Sequence, residues 1–130
     1  MDCPECGATT VAFPVPQEYR SLLPGDQSGA ALCRRCLSLH PVADPPGDSP
    51  AFQGVSDAFP SSREAAVPMV LAVGLLENLA LYRSEIADLL DRVEREGTDP
   101  LLVLDRLARD PDLDPTADLA TRRRQLEQLL

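Results

Sequence analysis

Lysine and tryptophan are both missing from this 130-residue chain, and histidine occurs once, at position 40. Three phenylalanines and two tyrosines are the whole aromatic complement. A single His40 among scattered Ser and Asp residues makes no nucleophile–base pattern. No H-E-x-x-H pair and no Gly-rich phosphate loop occurs either. Carboxylate groups such as Asp88/Asp91 and Asp110/Asp112/Asp114 read as solvated faces or helix caps. An enzyme is not expected, and no small-molecule substrate is inferred. Long apolar runs are also lacking: the longest, Ala65 to Leu76, is broken by Pro68 and Gly74 and followed by Glu77 and Asn78. It falls short of the roughly 20 residues a membrane helix needs. The opening Met1-Asp2-Cys3-Pro4-Glu5 has neither the basic nor the apolar region of a secretory signal, so a soluble, cytoplasmic protein is expected.

Basic residues are few and uniform. All twelve are arginine, against 21 acids of which 13 are Asp, for a net charge of −9. Such charge on a small chain favours self-repulsion. At molar salt the Debye length shrinks to about 3 Å and the repulsion is screened. An acidic, lysine-free chain is thus expected of a salt-rich cytoplasm, while a GC-rich genome would also exchange Lys for Arg; the two readings are compatible. Residues 1–60 carry seven acids and three arginines, and residues 61–130 carry fourteen and nine. Neither part is a basic module of the kind that binds phosphate backbones through bulk charge. Two local arginine groups remain. Arg34-Arg35 is one; Arg122-Arg123-Arg124 is the other, whose plainer explanation is i,i+4 pairing of Arg122 with Asp118 and Arg123 with Glu127.

What is present is cysteine in a strict pattern. Cys3-Pro4-Glu5-Cys6-Gly7 and Cys33-Arg34-Arg35-Cys36 are C-x₂-C pairs separated by 26 residues, and no cysteine is left over. Two intervening residues allow a tight turn whose backbone N–H groups face the sulfurs. Pro4 pre-sets φ, and Gly7 supplies the positive φ that closes the turn. Four thiolates make a closed tetrahedral set, so one structural Zn²⁺ held by Cys3, Cys6, Cys33 and Cys36 is expected, with no open coordination position for catalysis. Iron in the same cage, a dithiol redox site with thiols lowered by Arg34 and Arg35, and disulfides are the competing chemistries. Cys36-x₃-His40 has ligand-like spacing, but four cysteines already fill the site. His40 is therefore read as an ordinary residue, with a replacement ligand as the alternative.

Short β-branched or apolar runs flank the pairs: Thr9 to Phe13, Ala30 to Leu32, and Leu39 to Val42. They predict three short strands of a ribbon. Gln17 to Leu23 is expected to form a helical turn broken at Pro24-Gly25-Asp26. Residues 44–62 are rich in Pro, Asp, Ser and Gly, a linker whose Phe52, Val55 and Phe59 are candidates to pin it across a core. Beyond it the periodicity becomes helical. Ser61 with Glu64 suggests a capping box, with Pro68 in the first turn of a helix beginning near Val67. Segments 66–81 and 84–96 read either as two helices, the second starting at Ser84 and stopping at Gly97, or as one long helix. Asp99-Pro100 and Asp114-Pro115 each read as N-cap and first helical residue. The expected architecture is α+β: a Cys₄ zinc ribbon at 1–43 with short antiparallel strands, a linker at 44–62, and a small bundle of three to four helices at 63–130.

These residues carry a resemblance. Cys3-Pro4-Glu5-Cys6-Gly7 followed by a distant C-x₂-C pair resembles the small CPxCG-related zinc finger proteins of halophilic archaea. Ala66-Val67-Pro68-Met69, the stretch from Gly97 to Leu107, and Gln125 to Leu130 resemble an uncharacterised haloarchaeal family of ribbon-plus-helices layout. The resemblance implies ligand roles for Cys3, Cys6, Cys33 and Cys36 and no activity. Two functions follow as expectations. One is an adaptor that binds a protein partner or a second copy through its helices, with Leu126, Leu129 and Leu130 as a candidate apolar surface. The other is a transcription- or RNA-associated ribbon touching nucleic acid or polymerase through Arg34 and Arg35; the negative net charge favours the adaptor.

Overall fold

In the computed structural model the chain is described over residues 2–25 and 27–129. Asp26, in the expected break after the first helical turn, and the terminal Leu130 lie outside those residues. The order is strand β1 (Thr10–Pro14), helix α1 (Gln17–Arg20), strands β2 (Gly29–Cys33) and β3 (Leu39–Val42), then helices α2 (Arg63–Leu75), α3 (Arg83–Arg95), α4 (Pro100–Ala108) and α5 (Leu119–Leu129). The architecture is α+β, a three-stranded antiparallel sheet followed by four helices.

The sheet order is β1-β2-β3, with Thr10 opposite Cys33, Phe13 opposite Ala30, and Leu32 opposite Leu39. Alternation along β1 buries Val11 and Phe13, whereas every residue of the central β2 is buried. Small Ala30 and Ala31 let that strand be covered on both faces. One cover is the segment after β3. Phe52, in a short 3₁₀ turn, meets Phe13 edge-on at 5.1 Å and Phe59 at 6.3 Å. The Pro-rich stretch is therefore fixed by its aromatic residues, each worth roughly 1.5–3 kcal/mol when fully buried. One continuous apolar cluster runs from Val11 of β1 to Leu126 of α5.

Helix α2 begins one residue later than the capping-box reading: Ser62, not Ser61, accepts from the Ala65 N–H at 3.4 Å. The helix starts at Arg63, not near Val67, so Pro68 lies inside it and not in its first turn, where it offers no N–H to the Glu64 carbonyl. Ten of the thirteen α2 residues are buried, so tertiary packing outweighs the local proline penalty. Segments 66–81 and 84–96 are separate helices. The α2 axis tightens into 3₁₀ geometry at Leu76–Asn78, turns, and resumes at Arg83. Helix α3 buries Ile86, Leu89, Leu90 and Val93 and stops at Gly97 as expected. Asp99 caps α4 by accepting from the Leu101 and Leu102 N–H groups at 3.0 and 3.3 Å.

Helix α5 is capped by Asp118, whose side chain accepts from the Thr121 N–H at 3.1 Å, rather than by Asp114. That use of Asp118 replaces its expected pairing with Arg122, which instead donates to Gln125 at 3.0 Å. Arg123 does pair with Glu127, and also reaches Asp105 of α4 at 2.7 Å. Leu126 is buried, whereas Leu129 is 44 % exposed.

Helix α2 approaches the sheet closely at Gly74, where a Cβ would stand 2.6 Å from Leu39 Cβ of β3. Replacing a helical Gly by Ala ordinarily stabilises by about 1 kcal/mol. Here Gly74→Ala is expected to destabilise by about 1–3 kcal/mol, because helix and sheet must separate. Thermal unfolding of the two proteins checks the sign.

Candidate metal centre

The two cysteine turns repeat one geometry. In the first, the Cys3 N–H donates to the Ala8 carbonyl at 2.7 Å; in the second, the Cys33 N–H donates to the Ser38 carbonyl at 2.9 Å. Each turn closes with a residue of positive φ immediately after its second cysteine, Gly7 at 80° and Leu37 at 61°. Glycine takes that conformation freely, whereas leucine pays for it in strain. Leu37 is buried in the main apolar core, and its packing there offsets the strain. Backbone N–H groups do face the sulfurs: Glu5 donates to Cys3 Sγ, and Arg35 and Cys36 donate to Cys33 Sγ, each at 3.4 Å.

Strand pairing of β1 with β2 brings the turns together, and the four Sγ atoms all lie within 4.8 Å of one another. Cys3–Cys36 measures 3.7 Å and Cys6–Cys33 3.4 Å. A tetrahedral ion about 2.3 Å from each sulfur sets edges of about 3.8 Å, so the donor set has the dimensions of a four-thiolate cage that could hold a metal ion. Those separations are far beyond the roughly 2.05 Å of a disulfide, and all four cysteines are free thiols. Cys3, Cys33 and Cys36 are buried, and Cys6 is the exposed member.

The thiols are unequal. Burial pushes Cys3 up, but hydrogen bonds from Ser38, from the backbone of Cys6 and Glu5, and from His40 outweigh it and bring it down to about 5. Burial dominates at Cys33, pushed up to about 12 despite the Cys36 and Arg35 N–H groups. Arg34 and Arg35 point away into solvent, and Arg34 donates to the Gly54 carbonyl at 3.4 Å. They do not produce the lowered Cys33 thiol that a dithiol redox site needs.

Nothing in the spacing of the residues singles out Ser38. Its buried Oγ lies 3.0 Å from Cys36 Sγ, 3.4 Å from Cys3 Sγ and 2.9 Å from His40 Nε2. His40 is brought to Cys3 rather than to Cys36, its Nε2 at 3.6 Å from Cys3 Sγ and 3.8 Å from Glu5 Oε2. Cys3, Glu5 and His40 form a second group close enough to hold an ion, sharing Cys3 with the first. No C-x₂-C rule marks Ser38, which precedes β3 and is turned to the sulfurs after the left-handed Leu37.

A third contribution comes from far along the chain. The Asp114 N–H donates to the Arg35 carbonyl at 2.8 Å, and the Thr116 N–H donates to the Cys36 carbonyl at 3.1 Å. The Asp114-Pro115 pair thus straps the second cysteine turn instead of opening a helix.

Sheet, paired turns and helices define a small α+β protein organised around a four-cysteine ribbon. The chain belongs to a protein family of unknown function, DUF6276, whose model matches residues 2–130. No curated protein and no solved structure matches it.

Ser38→Ala removes the hydroxyl shared by two sulfurs, and is expected to weaken metal binding about 10–100-fold while leaving the fold intact. Competition with a chromophoric chelator reads the affinity. Binding an ion at neutral pH must displace the Cys33 proton, whereas Cys3 is already a thiolate. Affinity is therefore expected to fall as pH is lowered, in the same titration repeated from pH 8 to 5.5.

Proposed function

We propose that this protein is a non-enzymatic adaptor of a halophilic archaeon, built on one structural Zn(Cys)₄ site and binding a protein partner or a second copy. The observation that carries the reading is the closed set of four sulfurs, three of them buried, all within 4.8 Å of one another. Zinc suits such a set, needs no redox partner, and leaves no position open for substrate. The alternation of the two turns with a sheet that shares its apolar core with four helices makes the metal a brace for the whole surface. Lysine-free acidity supports the haloarchaeal assignment and the likeness to CPxCG-related zinc finger proteins.

Metal removal is the first test. Structural zinc in short peptides contributes about 10–16 kcal/mol of apparent binding energy. Chelation is expected to abolish the dispersed amide signals of residues 2–42 and, with them, partner binding. Retention of both would refute a structural ion.

Partner class is tested by purifying the tagged protein from a halophilic host in molar salt, with and without nuclease. A stoichiometric protein that survives nuclease is the expected result. Exposed Arg34 and Arg35 on the second turn carry the alternative reading, a transcription- or RNA-associated ribbon. Nuclease-sensitive material lost in the Arg34→Glu/Arg35→Glu protein would establish that reading in place of the adaptor.

A further inference from the structure

The two cysteine turns share backbone geometry but not their surroundings. On the second turn the carbonyls of Arg35 and Cys36 are occupied by the N–H groups of Asp114 and Thr116. Cys3, Cys6 and Gly7 correspond to Cys33, Cys36 and Leu37, so the carbonyls of Glu5 and Cys6 are the equivalent acceptors on the first turn. Among the described residues no hydrogen bond reaches them. Pro4, Glu5, Cys6 and Gly7 are all exposed. A Cβ built on Gly7 would meet nothing within 4 Å, so this turn has open space where Leu37 has a packed core.

Charge distinguishes the two turns in the same way. The second carries Arg34 and Arg35, and the stretch that covers it, residues 110–118, carries four aspartates. The first carries Glu5, with Asp2 alongside in its bridge to Thr9. The strap meets the second turn through its backbone, whereas the charges beside the first turn, Glu5 and Asp2, favour a basic cover. Neither arginine run of this chain is free to be lent by a second copy: Arg122, Arg123 and Arg124 are held within helix α5, and the N–H groups of Arg34 and Arg35 are engaged by the Thr9 carbonyl and Cys33 Sγ.

We infer that the first cysteine turn is a docking surface for an extended, arginine- or lysine-bearing segment of another protein, whose N–H groups two residues apart bond the Glu5 and Cys6 carbonyls. The inference rests on the adaptor reading and specifies where that partner binds. Backbone hydrogen bonds supply the register, as in strand addition to a sheet edge. Glu5 selects the sign of the flanking side chains, and its carboxylate, 3.8 Å from His40, is half exposed.

The strap itself supplies the probe. A synthetic peptide of residues 110–118 with each aspartate replaced by arginine is titrated into the metal-loaded full-length protein, observed by backbone ¹⁵N and carbonyl ¹³C resonances. Saturable shifts confined to Glu5, Cys6, Gly7 and their neighbours are expected. The unaltered acidic peptide should bind at least about tenfold more weakly, a difference of one good interaction. Glu5→Arg should invert that preference, with unchanged β2 resonances showing that the fold survives. N-methylation of the peptide amide matching Thr116 should abolish the carbonyl shifts. Absence of saturable binding, equal response to both peptides, or shifts confined to the helices would each overturn the docking surface. None of those results depends on the co-purification, so a protein partner recovered alongside them would leave the adaptor reading standing without this surface. Failure to recover any protein would strike the adaptor reading itself.

Discussion

Four cysteine sulfurs lie within 4.8 Å of one another and would repel as thiolates, and the arrangement of the N-terminal half is governed by the need to hold them there. Two means are visible. Backbone N–H groups of Glu5, Arg35 and Cys36 point at the sulfurs, the Ser38 hydroxyl lies against them, and a shared cation would neutralise what remains. Strand β2 transmits the constraint inward. Its last residue, Cys33, is a sulfur donor, and Leu32, Ala31 and Ala30 behind it are fully buried under Phe13, Phe52 and the helices. Any change that moves the cage must therefore move the centre of the apolar core, where packing resists displacement.

The helical half is tied to this centre twice. Gly74 lets α2 lie against Leu39, one residue from His40 in strand β3. Leu37, strained in the left-handed region, anchors the second turn in the same cluster as Val73 and Leu119. A glycine at position 37 would relieve backbone strain and surrender that anchor. The leucine indicates that packing of the turn outweighs its local conformational cost. Ser56 closes the far side, donating to Asp110 at 2.7 Å and pinning the Pro-rich segment to the chain just after α4.

Local chemistry made much of this legible from residues alone. The three strands lie within a residue of their expected limits because C-x₂-C turns, Gly and Pro punctuate them. Asp99-Pro100 opens α4 as expected, the Asp99 side chain accepting from the Leu101 and Leu102 N–H groups. Asp114-Pro115 carries the same local signal and does something else, since the carbonyls of Arg35 and Cys36 claim its backbone. No window of sequence contains both partners. The break between α2 and α3 was equally hidden: no Gly or Pro lies between Leu75 and Arg83, and the turn there follows from burial of α2 under α3. The sulfur cluster was readable from spacing; the Ser38 hydroxyl that two sulfurs share was not, because serine two residues past a cysteine has no signature of its own.

The strap over the second turn also has a place in time. Asp114 lies 78 residues beyond Cys36, so at synthesis rates of about 5–20 residues per second it follows roughly 4–16 s behind. All four sulfur donors emerge from the ribosome well before their cover does. For that interval the nascent ribbon presents two bare turns of opposite charge, one of which the chain later claims for itself. Completion of the C-terminal stretch is thus the event that makes a symmetric module one-sided.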